Sequence, residues 1–266
     1  MRIKSTFNKL KEINKAALIT YITAGDPNLK LTKDIIFKLE NSGADIIELG
    51  IPFSDPMADG PAIQLASERA IKSGTTLTKI LKLVTEIRKK TDIPIILFGY
   101  YNPFYIYGLG KFAKDAKKAG VDGVLVVDLP PEESSEFKKQ LDKNKLDLVF
   151  LLAPTSTKER IKMISDNGSG FIYLVSVTGV TGARPGMNYS LQPLISEIRN
   201  SSDLPVGVGF GVSSAKQAKE LAGYSDAVIV GSALVKIIEK NGYNNKALLQ
   251  QMGDFTKKLS KACYRV

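Results

Sequence analysis

Three carboxylates gather where one apolar run ends. They are Glu48, Asp55 and Asp59, in the segment Glu48-Leu-Gly-Ile-Pro-Phe-Ser-Asp-Pro-Met-Ala-Asp-Gly-Pro61. The run over 45–51 is short, β-branched and bounded by turn residues, so it reads as a buried strand. An ionised carboxylate inside such a strand costs several kcal/mol unless it is paired or has a task. Pro52, Pro56 and Gly60-Pro61 punctuate the following loop, and Pro61 suits the first turn of the next helix. Asp59 is thereby expected on a loop above the strand that carries Glu48. Two carboxyls in unlike surroundings can be driven to different pKa values, one serving as acid and the other as base. Asp55, between them, reads as turn stabilisation or a partner contact.

Composition leaves proton chemistry to groups of this kind. The 266 residues include no histidine and one cysteine, Cys263. That removes Ser-His-Asp and Cys-His catalysis, His-ligated zinc, haem, multi-Cys metal sites and any disulfide framework. The net charge of +10 comes mostly from lysine, since only seven of the 37 basic residues are arginine. Those lysines are scattered over helical positions such as Lys79, Lys82, Lys117 and Lys138, which predicts a solvated surface, no nucleic-acid site and a field mildly favouring an anionic substrate. The N-terminal stretch lacks a signal-peptide core and no apolar run reaches membrane length, so a cytoplasmic protein is expected, with a plastid stroma left open.

Eight short apolar runs must position these groups: 17–23, 45–51, 94–99, 123–128, 147–153, 170–177, 205–210 and 227–231. Helical periodicity fills the intervals, as in Leu31-Ile35-Ile36-Leu39 and Leu77-Ile80-Leu81-Val84-Ile87. Strands alternating with helices imply parallel pairing, and near-continuous apolar strands imply a sheet covered on both faces. Ser42-Gly-Ala-Asp45, Ala119-Gly-Val-Asp122 and Gly223-Tyr-Ser-Asp226 echo one another, each expected to end a helix with a left-handed Gly and start a strand through Asp. Eight such units predict an α/β fold, a single (β/α)₈ barrel domain over residues 1–266 with extra short helices. A doubly wound open sheet is the competing reading.

Small residues stand at two strand ends near the C-terminus, in Val206-Gly-Val-Gly-Phe-Gly-Val-Ser-Ser214 and Val228-Ile-Val-Gly-Ser-Ala233. Backbone N–H groups there can approach an anion closely, so a phosphate site after strands 7 and 8 is expected, with 231–240 as a short extra helix. The alternative is packing alone. The Gly-rich segment 177–186, Val-Thr-Gly-Val-Thr-Gly-Ala-Arg-Pro-Gly, has the composition of a lid or of an ordinary surface loop.

With Tyr21-Ile-Thr-Ala-Gly-Asp-Pro27, Asp128-Leu-Pro-Pro-Glu-Glu133, Gly179-Val-Thr-Gly-Ala-Arg184 and Val230-Gly-Ser-Ala-Leu-Val235 added to the Glu48–Pro61 motif, the chain resembles the tryptophan synthase alpha subunit family from about Phe7 to Lys261. The resemblance implies a lyase that cleaves indole-3-glycerol phosphate by a retro-aldol reaction to indole and glyceraldehyde 3-phosphate. It places the general acid/base on Glu48 and the carboxylate that holds the indole N–H on Asp59. It puts phosphate donors on Gly182, Gly211, Gly231 and Ser232, and the pocket and lid on Tyr21, Tyr173, Thr181 and Phe210. Met57 and Tyr21 stand as pocket-side variants, and Phe98-Gly99 replaces a larger aliphatic pair. No cofactor or metal is implied for this chain; pyridoxal phosphate belongs to a beta subunit, expected in an alpha2-beta2 complex docked on the loops bearing Asp55-Pro56 and Tyr101-Asn102-Pro103. A stand-alone lyase releasing free indole and a silent phosphate-binding regulatory subunit are the other readings.

Overall fold

The computed structural model describes residues 1–175, 191–209, 211–242 and 244–265. Eight parallel strands pair in sequence order and close on themselves: β1 (Ala17–Thr23), β2 (Ile46–Gly50), β3 (Ile95–Gly99), β4 (Gly123–Val126), β5 (Asp147–Leu152), β6 (Ile172–Val175), β7 (Val206–Gly209) and β8 (Ala227–Val230). The return pairing of β1 with β8, Ala17 opposite Ala227, rules out the open sheet.

Alternation along each strand divides the apolar residues between two cores. Outward residues such as Leu18, Ile47, Leu49, Leu97, Val124 and Val208 pack under the surrounding helices. Inward residues Ala17, Ile19, Ile46, Ile96, Leu125, Val149, Phe171, Tyr173, Ala227 and Ile229 fill the barrel. Helices α1 (Arg2–Glu12), α2 (Leu29–Asn41), α3 (Pro61–Lys72), α4 (Leu77–Ile87), α5 (Tyr101–Tyr107) and α6 (Leu109–Ala119) lie in the first half. They are followed by α7 (Ser135–Lys143), α8 (Lys158–Asn167), α9 (Gln192–Ser201), α10 (Ala215–Ala222), α11 (Ser232–Asn241) and α12 (Asn245–Ala262). The pattern read in α4 is the buried one: Ile80, Leu81, Val84 and Ile87 face the sheet, and Thr76 caps the first turn by accepting from Lys79 N. No described helix is long and apolar enough to cross a membrane.

Helix α1 gives a weak periodic signal, because its polar residues outnumber its apolar ones. Its stripe Ile3, Phe7 and Leu10 is buried, and the Phe7 ring sits 5.9 Å from Phe171 at the start of β6. It closes the end of the barrel where the strands begin.

The three echoed Asp residues share a physical role with a fourth residue that the echo did not include. Asp45 N donates to Leu18 O at 2.8 Å while its Oδ2 accepts Leu18 N at 2.7 Å. Asp122 does the same with Ile95 (2.9 and 2.9 Å), and Asp226 with Val206 (2.8 and 2.9 Å). Ser169 repeats the clasp on Leu148, its Oγ accepting at 2.8 Å. Each even-numbered strand therefore grips the start of the odd-numbered strand before it. The carboxylate clasps are neutralised by Lys15, by Arg88 and Arg2, and by Arg199 and Arg265. The left-handed Gly holds for Gly43 (φ +99) and Gly120 (φ +93) but not for Gly223, which is right-handed at φ −63. Its connector has one more residue before the Asp, so the reversal is spread over a longer turn.

Candidate active site

The groups that could do chemistry stand at the opposite end, where the strands finish. On β2 the inward positions are Ile46, Glu48 and Gly50, so Glu48 points into the barrel one layer above Ile46, in register with Tyr21 of β1 and Ile96 of β3. It is 1% exposed, and its Oε1 has no hydrogen-bond partner among the described residues. Burial alone raises its carboxyl from 4.5 to about 8, so at neutral pH it carries a proton. A buried carboxyl left without a partner is a proton donor held ready.

The aromatic side chains around Glu48 fit because neighbouring inward positions are Gly. A Cβ on Gly50 would lie 2.3 Å from the Tyr21 hydroxyl, and one on Gly209 would lie 2.7 Å from that of Tyr173. Burial, with the charges of Glu48 and Asp59, drives both phenols well above their ordinary range. Tyr21 is in register with Glu48, and Tyr173 faces the same barrel interior. Phe98 of β3 meets Tyr21 edge-on at 5.1 Å, and Ile63 and Ala66 of α3 complete an apolar wall. A flat apolar ring is the shape such a wall accepts.

Asp59 sits on the loop between β2 and α3, half-buried, with Gly60 as the cap and Pro61 as the first residue of α3 as its sequence requires. The loop is tied down by Gln64, whose Nε2 donates to Asp59 O at 2.8 Å. Burial pushes the Asp59 carboxyl up to about 6, while a hydrogen bond from Tyr100 opposes the rise. Ionised Asp59 and protonated Glu48 therefore coexist between those two values. Asp55 is exposed and accepts the Ser54 hydroxyl at 2.5 Å, in keeping with the structural role read for it. Met57 is 85% exposed and does not line the pocket, because the turn at Pro56 swings it outward.

Gly211 (φ +73) and Gly231 each stand two residues beyond a paired position, Gly209 and Ile229, on adjoining loops. The two helices that follow differ in how they begin. Ser214 caps α10 with its own hydroxyl, whereas α11 starts from Gly231 with no side-chain cap and no acidic residue in its first turn. Leu234 N and Val235 N donate to Gly231 O at 2.8 and 3.1 Å, so the N–H groups of Ser232 and Ala233, at the positive end of α11, are the ones left for an anion. Thr181, Gly182 and Phe210, with the rest of the segment 177–186, lie outside the described residues.

Tyr100 and Ile63 were missed from sequence. Tyr100 could have been found as a polar aromatic at the finishing end of a barrel strand, the end that carries chemistry in this architecture. Ile63 gave no signal apart from its helix. A groove of ≈ 670 Å³ at the other end, lined by Lys4, Phe7, Asp147 and Arg199 among others, holds no comparable acid–base arrangement.

The family model described as tryptophan synthase alpha chain matches residues 7–264. A tryptophan synthase alpha chain from Geobacter sp. (strain M21) is 54% identical over 260 residues, covering 98% of this chain and 97% of that one. One from Thermoanaerobacter sp. (strain X514) is 47% identical over 98% of each. Among solved structures, tryptophan synthase subunit alpha from Legionella pneumophila str. Paris superposes with a TM-score of 0.89 at 39% identity over 98% of each chain. A chain of tryptophan synthase from M. tuberculosis, in an open form, gives 0.89 at 34% identity over 100% of this chain and 99% of that one.

Proposed function

This chain belongs to the tryptophan synthase alpha chain family, and from that membership and its own geometry we propose that it cleaves indole-3-glycerol phosphate to indole and glyceraldehyde 3-phosphate. The observation that carries the reading is the unpartnered, protonated Glu48 carboxyl facing an aromatic-walled space that Asp59 shares.

The steps follow from those two charge states. The phosphate sits on the backbone of Gly211, Gly231 and Ser232 and fixes the substrate's orientation. The indole ring lies against Tyr21, Phe98 and Ile63, with Tyr173 beside the reacting carbons. Glu48 gives its proton to the ring carbon that bears the glycerol chain. Positive charge then develops on the ring nitrogen, whose N–H is held by the Asp59 carboxylate. Glu48, now ionised, takes the proton of the hydroxyl beside the scissile bond; the carbon–carbon bond opens, the aldehyde forms and the electron pair returns to the ring. Each proton step has a side chain of this chain to serve it, so no cofactor enters the cleavage.

Indole then goes to a beta subunit, which carries the pyridoxal phosphate, in an alpha2-beta2 complex in the cytoplasm. Support for a partner on this face comes from three exposed apolar side chains, Met57 (85%) on the loop between β2 and α3, and Tyr105 (61%) and Ile106 (76%) on α5. The test is direct. Purified protein given indole-3-glycerol phosphate should release indole and glyceraldehyde 3-phosphate, faster with a beta subunit added. Glu48→Gln should lower kcat by about 10²–10⁴ with the fold intact; normal turnover by that variant would refute the role given to Glu48.

A further inference from the structure

The side chain of Tyr100 has a direction imposed on it. It follows β3 directly, caps α5 and is 3% exposed, with its ring 5.2 Å from that of Phe53. Its hydroxyl oxygen accepts the N–H of Ala58 at 3.0 Å. The same hydroxyl lies 3.1 Å from Asp59 Oδ2 and donates to it. Because the Ala58 N–H already points at the oxygen, the phenolic hydrogen is turned away from that bond and towards the carboxylate. One side chain thus fastens two successive residues of the loop between β2 and α3, by a backbone group of the first and the carboxylate of the second.

We propose that Tyr100 is the positioning residue for Asp59: it occupies Oδ2 and thereby presents Oδ1, in a fixed orientation, to the N–H of the bound ring. This rests on the function proposed above and adds a residue to it. A half-buried carboxylate on a loop rich in Gly and Pro would otherwise rotate, and a group that must meet an N–H within hydrogen-bond distance loses effect when it does. A charge-assisted hydrogen bond from a phenol also favours the ionised carboxylate, which is the form the ring nitrogen needs. Among the described residues, the titratable groups coupled to this pair are Tyr21 from β1, Tyr173 from β6 and Asp128 beyond β4. None of them is a cation that could replace the phenol as Asp59's donor.

Tyr100→Phe in the full chain removes the donor and keeps the ring. Expected are a fall in kcat/KM of about tenfold, the order of one charge-assisted hydrogen bond, and an upward move of the low-pH limb of the rate profile. In an Asp59→Asn background the same change should cost little more, because two residues acting through one contact do not add. A Tyr100→Phe variant with an unmoved limb, or with the same proportional loss in both backgrounds, overturns the proposal. Carboxyl titration of Asp59 by NMR in the ligand-free chain reads the hydrogen bond without any turnover: its midpoint should rise in Tyr100→Phe, and an unchanged midpoint likewise overturns it. Wild-type protein that fails to cleave the substrate would instead overturn the function, and the titration would still decide the role of Tyr100.

Discussion

Glu48 and Asp59 are both carboxylic acids, and their surroundings alone make one a donor and the other an acceptor. The proposed cleavage needs Glu48 protonated, below about 8, and Asp59 ionised, above about 6. The profile of kcat/KM against pH should therefore be bell-shaped with limbs near those values, as initial rates across a buffer series would show. The same burial sets a stability effect of definite sign. The folded-state value of Glu48 lies above its ordinary 4.5, so between pH 4.5 and about 8 the fold retains a proton that the unfolded chain has released. Stability falls across that window by up to about 1.4 kcal/mol per pH unit and is flat above it. Glu48→Gln should therefore melt higher than wild type at pH 8, with the gain shrinking towards pH 5, in thermal scans at fixed ionic strength. Glu48 was legible in the sequence because a charge inside an apolar run has no cheap explanation. Tyr100 was not, since an aromatic beside a strand reads as core until its hydroxyl is seen between Ala58 and Asp59.

At the level of elements, the strand-start clasps separate two kinds of cost. Asp122 is 6% exposed at its side chain and Arg88 is 9%, so Asp122→Ala strands a buried guanidinium and should destabilise by about 3–5 kcal/mol. Ser169→Ala removes one neutral acceptor from a comparable clasp and should cost about 1–2 kcal/mol. Denaturant titration of the two variants measures the difference. Three of the four clasps announced themselves as Gly-spaced Asp residues; the fourth uses Ser, which carries no charge to mark it. Gly50 and Gly209 were hidden for another reason: their need is steric and comes from Tyr21 and Tyr173 on the adjacent strands. Gly209→Ala should force Tyr173 aside and lose activity along with about 1–3 kcal/mol of stability.

Across the whole molecule, the barrel was legible because eight strand–helix units with apolar strands on both faces leave few other closed solutions. What the sequence concealed was α1, whose three core side chains are spaced among lysines. The apolar rim was partly visible: Tyr101-Asn102-Pro103 opens the helix that exposes Tyr105 and Ile106. Replacing Ile106 by Asp should weaken association with a beta subunit by tenfold or more, in the way loss of a central apolar anchor does, while the isolated chain's cleavage rate stays near wild type. Sedimentation velocity with and without the partner would register the change. The plug formed by Ile3, Phe7 and Leu10 gives the barrel the plan of a cul-de-sac. With that floor filled, reactant and products of the proposed reaction share the end where the strands finish, and indole does not drain through the floor. Leakage to solvent is then governed by how completely that end is roofed, and hardly at all by the chemistry within.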